Sequence, residues 1–178
     1  YRLDGLRHSA TRDSVQAMCN TLSHRGPDDA GITEAGGATL GQRRLSIIDT
    51  SQRGHQPMWN EDKTIVLVAN GEIYNYVEFR EQLSRLGHRF QSDTDSEVIL
   101  HAYEEYGDTA LEYLRGMFAF ALYDCAKQRI LLARDRLGIK PVYYSCINGA
   151  LVFASEIKAI LASGLIERRL DVQALDDY

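Results

Sequence analysis

The stretch Ile65-Val66-Leu67-Val68-Ala69-Asn70-Gly71-Glu72-Ile73-Tyr74-Asn75 decides how this chain is read. It opens with five consecutive apolar residues, the pattern of a buried strand. It is expected to end abruptly at Asn70-Gly71, because glycine accepts positive φ and lets a chain leave extended geometry. An amide side chain and a glycine N–H at the mouth of a buried strand are two hydrogen-bond donors in a fixed place. An oxyanion hole for acyl transfer needs two such donors. Asn-Gly is equally a common hairpin or strand-to-helix turn. Alone, the dipeptide leaves both readings open.

Working outward, Tyr76, Phe79, Leu83 and Leu86 predict a helix closed by Gly87. Thr94 and Glu97 have capping-box spacing, with Val98, Ile99, Ala102 and Tyr106 continuing a further helix. Asp95 is then expected in that helix's first turn. There it either complements the helix dipole or points into a pocket and binds an ammonium group. Upstream, Val15, Met18, Cys19 and Leu22 mark an amphipathic helix that stops at His24-Arg25-Gly26-Pro27, read as structural punctuation. Gly31 to Asp49 reads as two strands broken by Gly36-Gly37, the second running from Thr39 to Asp49. Arg43-Arg44 in that strand is either a solvated edge or the source of one guanidinium gripping a carboxylate.

Downstream, residues 109–114 predict a short helix ending at Gly116, and Met117 to Asp124 a buried strand. That strand turns at Cys125 to Gln128 into Ile130–Asp135. Val142–Ser145 and Leu151–Ala154 form a hairpin about Asn148-Gly149, and a helix follows from Ser155 to Ala162. Tyr1-Arg2-Leu3 reads as the tail of a strand. Strands and helices arrive in clusters, which indicates an α+β domain with largely antiparallel sheets stacked between helices.

Composition narrows function. A chain of 178 residues, 44% hydrophobic, suits one domain with a real core. A formal net charge of −5 argues against a nucleic-acid surface. No apolar run is long enough to span a membrane. Cys19, Cys125 and Cys146 are odd in number and widely spaced, which favours a reducing cytoplasm over a disulfide framework; all three read as structural. No His pairs with another His or Cys at metal-ligand spacing, so no metal site is expected. Phosphate-cradling loops, GxGxxG and the Gly-x-Ser-x-Gly elbow are all missing, which disfavours nucleotide chemistry within these residues.

Seven blocks now resemble, in order, the glutaminase domain of glutamine-hydrolysing asparagine synthetases. They are His24-Arg25-Gly26-Pro27-Asp28, Arg44-Leu45-Ser46-Ile47-Ile48-Asp49, Asn70-Gly71-Glu72-Ile73-Tyr74-Asn75 and Asp95-Ser96-Glu97-Val98-Ile99. Gly116-Met117-Phe118-Ala119-Phe120, Ala133 to Pro141 and Phe153 to Ala159 complete the set. The resemblance spans nearly the whole chain, which is read as one glutamine amidotransferase type-2 domain over 1–178. It implies an N-terminal-nucleophile hydrolase fold, a four-layer α/β/β/α sandwich of two antiparallel sheets.

It also implies a reaction. A cysteine thiolate attacks the glutamine carboxamide, ammonia leaves, and water hydrolyses the glutamyl thioester, with the cysteine's own α-amine carrying protons. By resemblance, the Asn70 side chain and Gly71 N–H form the oxyanion hole. Arg44 clamps the glutamine α-carboxylate and Asp95 its α-ammonium, while backbone groups around Leu45, Ile47, Ile48 and Glu72 line the pocket. The family begins Cys-Gly-Ile-x-Gly where this chain begins Tyr1-Arg2-Leu3-Asp4-Gly5, so roughly five or six residues, nucleophile included, are expected before Tyr1. Without that cysteine the alternative is a non-catalytic glutamine-binding or docking module. The ammonia acceptor is a C-terminal synthetase domain expected beyond Tyr178. ATP and Mg belong to that domain, and no cofactor is expected in this one. A homodimer is compatible with the resemblance; nucleic acid and membrane are not expected partners.

Overall fold

The computed structural model describes residues 2–4 (backbone alone), 11–49, 51–147, 149–170 and 172–173. The organising strand is β5 (Ile65–Ile73), paired along its length with β6 (Gly116–Asp124). With β1 (Arg2–Asp4), β4 (Met58–Trp59) and β7 (Arg129–Arg134) they form an antiparallel sheet in the order β1-β7-β6-β5-β4. The strand-like reading of Arg2-Leu3 is thereby placed; Tyr1 lies outside the described residues.

Side-chain alternation along β5 and β6 gives the sheet two buried faces. Leu67, Ala69 and Ile73, with Phe118, Phe120 and Leu122, face Phe79 and Leu83 of α2 (Tyr76–Arg85) and Val98, Ile99 and Ala102 of α3 (Glu97–Tyr106). The short helix α4 (Ala110–Tyr113) joins that layer through Ala110. Val66, Val68, Ala121 and Tyr123 face the other way, onto the hairpin β2 (Asp29–Ala35)–β3 (Ala38–Arg44) and onto Leu151 and Phe153 of the hairpin β8 (Tyr143–Ile147)–β9 (Ala150–Ala154). Outside these lie α1 (Arg12–Thr21) and α5 (Ile157–Ala162), packed on each other and on the hairpins. The order is helices, sheet, strands, helices. Among the described residues the second strand layer is two separate hairpins rather than one continuous sheet.

Four expectations are corrected. The organising strand does not end at Asn70-Gly71 but continues in unbroken register to Ile73. Gly71 takes φ 146°, and a Cβ there would overlap the Met117 carbonyl oxygen. The glycine serves close approach to β6, not a turn. The strand begun at Thr39 stops at Arg44, and Leu45–Asp49 leaves as a loop with Leu45, Ile47 and Ile48 exposed. Thr94 and Glu97 do not form a capping box. The Glu97 carboxylate accepts instead from the Gln91 and Ser92 N–H groups at 2.7 and 2.8 Å and from the Ser92 hydroxyl at 2.6 Å. Asp95 therefore precedes α3 rather than sitting in its first turn. Leu86, expected on an apolar stripe, is the exposed C-cap of α2. Asn148 of the predicted turn lies outside the described residues, as do residues 174–178.

Candidate active site

The pocket end of β5 has backbone groups that the sheet does not use. Phe118, the partner of Gly71, gives its N–H to the Asp135 carboxylate (3.3 Å) and its carbonyl to the Asp135 N–H (2.7 Å), on the side away from β5. Gly71 and Phe118 are thus a non-hydrogen-bonded pair of the antiparallel ladder, and the Gly71 N–H points away from β6. Its neighbours in phase agree. The Ala69 N–H donates to Gln56 Oε1 (2.7 Å), and the Ile73 N–H donates to Asp95 Oδ2 (2.7 Å). The Gly71 N–H, lying between them, faces a cleft of about 280 Å³. Asn70 lines the same cleft, on the Val66 and Val68 face of the strand.

All eight residues expected at the site, Arg44, Leu45, Ile47, Ile48, Asn70, Gly71, Glu72 and Asp95, border this one cleft. Arg44 ends β3 and donates to the carbonyls of Ser51 (Nη1, 3.1 Å) and Asp49 (Nη2), which folds the 45–51 loop around it. A guanidinium has five N–H donors, so three remain for a ligand carboxylate. Gly54 makes room for the arginine, since a Cβ there would overlap its Nη2. The loop is held from outside by the Asp28 carboxylate, which accepts from the Ser46 N–H at 2.8 Å.

Asp95 is buried and makes no ion pair among the described residues. Burial raises its pKa, the Ile73 N–H opposes that rise, and nearby Glu72 adds to it. Asp49 joins the two walls: its carbonyl receives Arg44 and its carboxylate accepts from the Ser51 N–H (2.8 Å) and the Asp93 N–H (3.1 Å). The Ser51 hydroxyl foremost, and then the Asp93 and Ser51 N–H groups, hold its pKa down at about 2. One wall therefore offers a cation and the other an anion, with two hydrogen-bond donors between them.

Sequence reading missed several lining residues. Gln42 and Gln56 border the cleft and brace the Ala69 carbonyl and N–H, fixing the strand just before Asn70. Lys140 enters from the Arg134–Pro141 loop. That loop is shaped by the Asp135 carboxylate, which accepts from the N–H groups of Ile139 and Lys140, and by Arg134, which donates to the carbonyls of Gly138 and Lys140. Arg25, read as punctuation, also borders the cleft while its Nη1 holds Glu156 at 3.0 Å. The arginine and lysine of these motifs were visible, but nothing in their spacing showed which way they face. Cys19 is buried with a raised pKa, Cys125 is half-buried and Cys146 exposed; none of the three borders the cleft.

Comparison with known proteins identifies the family and the fold. The sequence profile of the glutamine amidotransferase domain matches residues 4–178. The chain is 44% identical over 165 residues to asparagine synthetase [glutamine-hydrolyzing] 1 of Bacillus subtilis, covering 92% of this chain and 26% of that protein. It is 41% identical over 153 residues to amidase chyE of Penicillium rubens, covering 86% of this chain and 23% of that one. It spans about a quarter of the length of these relatives. Among solved structures, the glutamine phosphoribosylpyrophosphate amidotransferase of B. subtilis superposes with a TM-score of 0.75 at 22% identity, over 92% of this chain and 42% of that one. That likeness establishes the fold. Among the described residues no helix is long and apolar enough to cross a membrane.

Proposed function

Since the chain belongs to the glutamine amidotransferase domain family, we propose that it is the glutaminase half of an asparagine synthetase-like amidotransferase. The observation that carries this reading is the single cleft joining Arg44, Asp95, Asn70 and Gly71. Free glutamine is a zwitterion carrying a carboxamide, and a simple amide lacks both charges. Arg44 takes the α-carboxylate and Asp95 the α-ammonium, which places the carboxamide at the mouth of β5.

A cysteine preceding Tyr1 supplies the nucleophile. The thiolate forms a bond to the carboxamide carbon, and the oxyanion is held by Asn70 and the Gly71 N–H. As the C–N bond breaks, ammonia takes its proton from the cysteine's α-ammonium. Water then attacks the thioester, giving its proton to the freed α-amine, and glutamate leaves.

The ammonia acceptor, an ATP- and Mg-using synthetase domain of the same protein, and a cytoplasmic setting belong to this proposal. Its test is glutamine-dependent ammonia release by the full-length protein, together with its mature N-terminal sequence. An N-terminal cysteine with turnover is expected. Glutamine binding without hydrolysis would instead make this a non-catalytic glutamine module.

A further inference from the structure

A second cluster of polar side chains lies outside the cleft. His88 follows α2, while His101 and Glu104 project from α3 one turn apart. One ligand atom from each lies within 4.8 Å of the other two. Glu104 Oε2 is the shared point, 3.3 Å from His88 Nδ1 and 2.8 Å from His101 Nδ1. Ligand atoms around a tetrahedral zinc ion, bonded at about 2.0–2.2 Å, stand about 3.3 Å apart. The first separation matches. The second is a hydrogen-bond length that opens slightly when a metal replaces the proton.

The outer contacts distinguish this cluster from a chance meeting of polar groups. Each of the three has a polar partner behind it. His88 Nε2 faces Glu105 Oε2 at 3.2 Å, His101 Nε2 faces Glu97 Oε1 at 3.6 Å, and Glu104 Oε1 accepts from Asn60 Nδ2 at 2.7 Å. The Glu105 carboxylate behind His88 Nε2 favours its Nε2–H tautomer and turns the Nδ1 lone pair toward Glu104, while His101 Nδ1 shares with Glu104 a proton that a metal ion would replace. His101 is almost wholly buried, and its Nε2 makes no hydrogen bond. Two imidazole Nδ1 atoms and a carboxylate oxygen converging on one point suit a cation there.

We propose that His88, His101 and Glu104 bind one divalent transition-metal ion of the zinc type, at a structural site that clips the α2–α3 connection to α3. Two imidazoles and one carboxylate suit zinc, with a water completing the shell. Glu97, behind His101, also ties down Gln91 and Ser92, just before Asp95. The ion therefore braces the segment that presents one wall of the cleft. Sequence spacing gave no sign of it, because the ligands come from two elements and one is a glutamate. The competitor is a proton.

The experiment uses the full-length protein, stripped with a chelator and titrated with Zn²⁺ by calorimetry beside His88→Ala and Glu105→Gln. The wild type is expected to take up one equivalent more than His88→Ala at micromolar zinc, and to melt at a higher temperature with zinc than without. Glu105→Gln, which loses only the outer partner, is expected to weaken that equivalent by about 10–100-fold. Co²⁺ in its place should give tetrahedral visible bands without thiolate charge transfer. Equal zinc uptake by wild type and His88→Ala overturns the proposal, as does a cobalt spectrum carrying thiolate bands.

Discussion

Two buried aspartates stand at opposite ends of the β5–β6 ladder. Asp124, opposite Ile65, is 4% exposed, and Asp95, bonded to Ile73, is 6% exposed. Their burial is the same and their chemistry is opposite. Asp124 accepts from the Tyr103 hydroxyl (3.0 Å), the Lys127 N–H (2.9 Å) and Lys127 Nζ (3.1 Å), and Arg129 Nη2 donates to the same Tyr103 hydroxyl at 2.9 Å. Burial would raise its pKa, but the Lys127 and Tyr103 contacts bring it below the ordinary value. Asp95 has one strand N–H from outside its own turn and a neighbouring glutamate, and its pKa rises. A charge that the fold has neutralised is structural. A buried carboxylate left without a cation suits a cationic ligand, which under the proposed function is the glutamine ammonium.

Four changes, all in the full-length protein, separate the two aspartates. The largest effect is expected from Asn70→Ala, which removes an oxyanion donor at the unpaired end. The rate constant for ammonia release should fall by ~10²–10³ with little change in KM, read by steady-state kinetics. Next is Asp95→Asn, which keeps the acceptor for the Ile73 N–H but removes the charge. KM for glutamine should rise by at least about 30-fold, as expected when one partner of a buried charge pair is lost. Because the folded state raises the pKa of Asp95, ionisation there costs stability at neutral pH, so the melting temperature of this variant should be equal or higher.

At the other end, Asp124→Asn should lower stability by about 1–3 kcal/mol in a denaturant titration while leaving kcat and KM near wild type. If Asp124→Asn alters KM and Asp95→Asn unfolds the protein, the two ends have been misassigned. The smallest effect is an order of events on acidification. Asp95, with a raised pKa, protonates first and glutamine binding weakens. Asp49, held at about 2 against an ordinary 3.8, keeps its contribution above about pH 4 and loses it only as pH falls toward 2. KM should therefore rise at a pH where fluorescence of Trp59 still reports a folded chain.

The layers of the fold were legible because they rest on periodicity. Leu67, Ala69, Val66 and Val68 alternate as a strand buried on both faces must. Boundaries were less legible where a side chain outvoted the local pattern. Leu45 to Asp49 is apolar enough to extend β3, yet Arg44 takes the Asp49 carbonyl and Asp28 the Ser46 N–H, which draws the stretch into a loop. Glu97 has the spacing of a capping box but spends its carboxylate on Gln91 and Ser92. Asn70-Gly71 gave the right place and the wrong geometry, since a glycine needed for close approach looks in sequence like one needed for a turn. The principal cleft residues were named from resemblance, not from spacing. Gln42, Gln56 and Lys140 were missed because their roles depend on what lies across the cleft.

The proposed reaction places the acyl intermediate on a cysteine upstream of Tyr1. The direct test is to mix the full-length protein with glutamine, quench it in acid during turnover and map the adduct by peptide mass spectrometry. The account predicts one glutamyl group, on a cysteine in the peptide preceding Tyr1. Ammonia release with the glutamyl group on Cys19, Cys125 or Cys146, or with no adduct on the upstream peptide, would contradict it.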